Sequence, residues 1–80
     1  MTIKEAALNS LMLNAAKDRA EAFTSLELLL NHGVGVGEHS TGDFHDNLNE
    51  ALSKLADAED RIECLKRNYG NFLPLQNDEN

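Results

Sequence analysis

Side chains capable of chemistry gather in one short stretch of the chain. His32, Glu38, His39, Asp43 and His45 lie within fourteen positions, and imidazoles beside carboxylates form a ligand set for zinc or another divalent cation. In helical bundles such ligands stand at i, i+3 or i+4 on facing helices. Only His39 with Asp43, and Asp43 with Asp46, have that spacing, and no Cys joins them, so no metal site is expected. Gly33, Gly35 and Gly37 alternate with Val34 and Val36. A phosphate cradle needs a preceding strand and the G-x-G-x-x-G or G-x-x-x-x-G-K-[ST] spacing, and neither is present. Cys64, the single cysteine, has no His at i±3 or i±4; a thiol without a base is not a nucleophile's constellation. No Ser/His/Asp arrangement stands out. The chain is expected to be non-enzymatic, with no catalytic residue and no cofactor.

A different kind of polar residue is Arg19. It interrupts an apolar seam formed by Leu8, Met12, Ala15, Ala22, Leu26 and Leu29, at a position where a buried and unpaired guanidinium would cost several kcal/mol. Three readings follow: the head snorkels to water, it pairs with a carboxylate, or it holds an external ligand. Glu59 is the best carboxylate candidate, and Arg19 with Glu59 is taken as a buried polar pair that specifies register.

The elements that position these residues are two helices. Phe44, Leu48, Ala51, Leu55, Ala58, Ile62, Leu65 and Tyr69 are spaced alternately four and three apart, as are the seam residues of the first half. Such spacing keeps an apolar stripe on one helix face and demands a partner helix. Thr2 with Glu5 forms a capping box, so the first helix is predicted over residues 3–31. A glycine-rich loop follows at 32–41. The second helix is predicted over 42–69, capped by Ser40 or Thr41, supported by Glu50–Lys54, Asp57–Arg61 and Glu63–Arg67 pairs, and stopped by Gly70. Residues 70–80 are expected to be a flexible tail.

The fold class is therefore all-α, a single antiparallel two-helix hairpin spanning residues 1–80. The alanines at 22 and 51, and at 15 and 58, can meet when the chain folds back. A second apolar flank, Leu13, Ala16, Ala20, Phe23 and Leu30 with Leu52 and Ala56, exceeds what two helices can bury. A second hairpin would cover it, which makes a dimeric four-helix bundle the expected assembly and those seven residues its interface; a trimer or tetramer is the alternative.

Eighty residues with seven basic and fourteen acidic side chains carry a formal charge of −7. That surface repels nucleic-acid phosphates and suits a partner protein with a basic patch. One cysteine fits a reducing compartment, no signal-peptide order opens the chain, and apolar runs never exceed three residues. The expectation is a cytoplasmic protein with no direct contact to nucleic acid or membrane.

Gly35-Val36-Gly37-Glu38-His39-Ser40-Thr41, Leu48-Asn49-Glu50-Ala51-Leu52 and Asp57-Ala58-Glu59-Asp60-Arg61 together resemble segments of small accessory proteins of tailed bacteriophages, including marine T4-like phages. The resemblance implies a phage-encoded accessory protein in the bacterial cytoplasm and assigns no site residue. The plan also resembles Rop, an acidic hairpin dimer that binds RNA through a basic face; the cations here are few and mostly paired with acids. The expected function is an interaction or structural module that oligomerises and binds another protein. The alternative is a Rop-like or DNA-mimicking acidic regulator of nucleic-acid processes.

Overall fold

Thr2 starts the first helix through a reciprocal cap. The Glu5 N–H donates to Thr2 Oγ1 at 3.0 Å, and the Thr2 N–H donates to Glu5 Oε1 at 3.0 Å. Two orphan amides of the first turn are thereby satisfied. Helix α1 then runs Ile3–His32 without a glycine or proline, and helix α2 runs Thr41–Tyr69. The computed structural model describes residues 1–32 and 41–73. Both helices match the sequence expectation to within a residue at each end, which is ordinary fraying. The glycine loop at 33–40, with Glu38, His39 and Ser40, lies outside the described residues, whereas Thr41 is the first residue of α2.

The two helices pack along their length into a hairpin whose principal extents are 54 × 23 × 17 Å. Leu8, Met12, Ala15, Ala22, Ala51 and Ala58 are buried, and Leu26, Leu29, Phe44, Leu48, Leu55, Ile62 and Leu65 are half-buried. The alternating seam is thus the contact face of both helices. Its middle layers are alanine: Ala15 is 1% exposed and Ala58 0%. Side chains this small let the backbones approach closely. At the end where the termini meet, Ile62 and Leu65 pack against the cluster of Leu8 and Met12. Tyr69 ends the seam but is 40% exposed.

The C-terminal segment corrects the sequence reading. Residues 70–73 are not a tail: Gly70–Phe72 form a turn of 3-10 helix, and the Leu73 N–H closes it onto the Gly70 carbonyl at 3.3 Å. Leu73 is 3% exposed and sits in the same cluster as Leu8 and Met12. The physical reason is that the seam has an open apolar end, and a leucine four residues beyond the helix can reach back to cover it. Lys4 reinforces this contact from the first turn of α1. Its Nζ lies 4.4 Å from the Phe72 ring centroid and 5.8 Å from that of Tyr69, within cation–π range. The expected tail from Pro74 to Asn80 lies outside the described residues.

Candidate functional site

An antiparallel hairpin has two sides flanking its seam, and here they differ in character. One side is charged. Arg61 Nη2 donates to Asp18 Oδ2 across the helices at 2.8 Å, while its Nε donates to Asp57 Oδ2 at 3.0 Å. The hydrogen bond to Asp18 does most to raise the guanidinium pKa; desolvation opposes it, and the hydrogen bond to Asp57 adds to the rise. Lys17 bridges to Glu21 at 3.2 Å and Lys54 to Glu50 at 3.1 Å on the same side. Two neighbouring grooves of about 490 and 460 Å³ open between the helices there, and Glu21, Glu50 and Lys54 line both. Of the three acid-before-base pairs expected on α2, Glu63–Arg67 is not within ion-pair distance.

The other side is apolar. At 100° per residue, Leu13, Ala16, Ala20 and Phe23 stand about a quarter-turn from the α1 seam, and Leu52 with Ala56 stand likewise on α2. All seven expected interface residues, Leu30 included, are exposed in the single chain. Leu13 is 52% exposed, Phe23 47% and Leu52 54%. In a hairpin these two flanks share one side, and an ion pair from the margin of each holds them together.

That pair is Arg19 with Glu59. Arg19 Nε lies 3.3 Å from Glu59 Oε2, with the side chains 48% and 51% exposed. The structure brings the two residues together but does not bury them in the hairpin. Arg19 stands at the edge of the seam nearest the apolar flank, so its long stem carries the head past the alanine layers to the rim. Exposed pairs of this kind contribute little, about 0.2–1 kcal/mol. A double-mutant cycle of Arg19→Ala with Glu59→Ala, read by thermal unfolding, is expected to give a coupling of at least about 0.3 kcal/mol. A smaller value, within the error of additivity, would show that the contact contributes nothing.

The Asp18–Arg61 bridge was missed in the sequence because Asp57, four residues before Arg61, already supplied a local partner. The loop cluster yields less. Asp43 and His45 are exposed, and among the described residues no three His, Cys, Asp or Glu side chains stand close enough to hold a metal ion. Cys64 is exposed, its Sγ 3.6 Å from Asn68 Nδ2. Among the described residues no helix is long and apolar enough to cross a membrane. No family model matches the chain, and searches of curated proteins and of solved structures find no match either.

Proposed function

We propose that this chain is a non-enzymatic accessory protein, a homo-oligomeric helical bundle that presents its charged side to another protein. The observation that carries the reading is the division of the hairpin into an apolar side and a charged side. Seven exposed apolar residues share one side, and among the described residues Leu8, Met12 and Leu73 are the only large side chains buried in the hairpin's own core. A chain of this size gains most of its missing stability by covering such a face with another copy. With a formal charge of −7, the remaining surface suits a partner with a basic patch, in the cytoplasm of a bacterium or of a phage-infected host. The acidic-regulator alternative is less well supported, since Arg61, Lys54 and Lys17 are interleaved among the carboxylates and break up any phosphate-like row.

Light scattering behind size exclusion tests the reading. The expected mass is twice the 8.8 kDa of one chain, and Phe23→Ser with Leu52→Ser is expected to return it to the monomer value. A stable helical monomer of the unaltered protein at micromolar concentration would sink the proposal.

A further inference from the structure

We draw no further inference here: the strongest candidate, the exposed apolar flank of the hairpin around Leu13 and Phe23 of α1 and Leu52 of α2, carries nothing beyond the assembly already proposed, because nothing in the structure shows what covers it.

Discussion

Replacing Leu73 with Ala is expected to lower the free energy of unfolding by about 2–4 kcal/mol. Leu73 is one of three large side chains in the buried cluster, with Leu8 and Met12, and it is 3% exposed. It is also anchored only by a single turn, so the surrounding backbone has little reason to hold its place once the isobutyl group is gone. A small domain has roughly 5–15 kcal/mol in total, and the change therefore removes a large fraction of it. The measurement is the urea midpoint of the helical circular dichroism signal. Lys4→Gln removes only the cation–π contribution to the same contact, about 0.5–1 kcal/mol, and is expected to shift the midpoint much less. An unchanged midpoint for Leu73→Ala would show that the segment after Tyr69 does not close the seam in solution.

What the sequence revealed and what it hid divide along one line. Periodic and local signals were legible: the seam residues, the Thr2–Glu5 cap, and the Glu50–Lys54 and Asp57–Arg61 pairs each depend on spacing within one helix. The Arg19–Glu59 contact was legible as a partnership, because pairing with a carboxylate is one of the ways a charge in an apolar stripe avoids the cost of burial. Its exposure follows the snorkelling reading rather than the buried one, and the choice between them depends on how far a flexible stem travels beyond the seam. Leu73 was hidden for a different reason. It follows Gly70 and precedes Pro74 and a polar end, and no period carries through a 3-10 turn to mark it as core. The Asp18–Arg61 bridge needs the register between helices, which neither helix states alone. Contacts between elements became readable only once the alanine layers set the level of one helix against the other.

Those alanine layers carry the second large effect. Ala58→Leu is expected to destabilise the hairpin by about 1–3 kcal/mol, because a branched side chain has no room where two backbones approach closely. Ala58 is 0% exposed and Ala15, at the same level on α1, is 1% exposed, so the added carbons can be accommodated only by moving the helices apart. That movement also loosens the contacts of Met12 and Ile62 one layer away, which is why the cost should exceed that of a simple rotamer change. Leucine is a good helix former, so a loss of stability cannot be assigned to propensity. Ser53→Leu on the exposed outer face of α2 is the control and is expected to stay within about 0.5 kcal/mol. If both variants unfold at the same urea concentration as the unaltered chain, the helices do not approach closely at Ala58. If only Ala58→Leu falls, the small residues are what set the register, and the charged pairs at the rim follow from it.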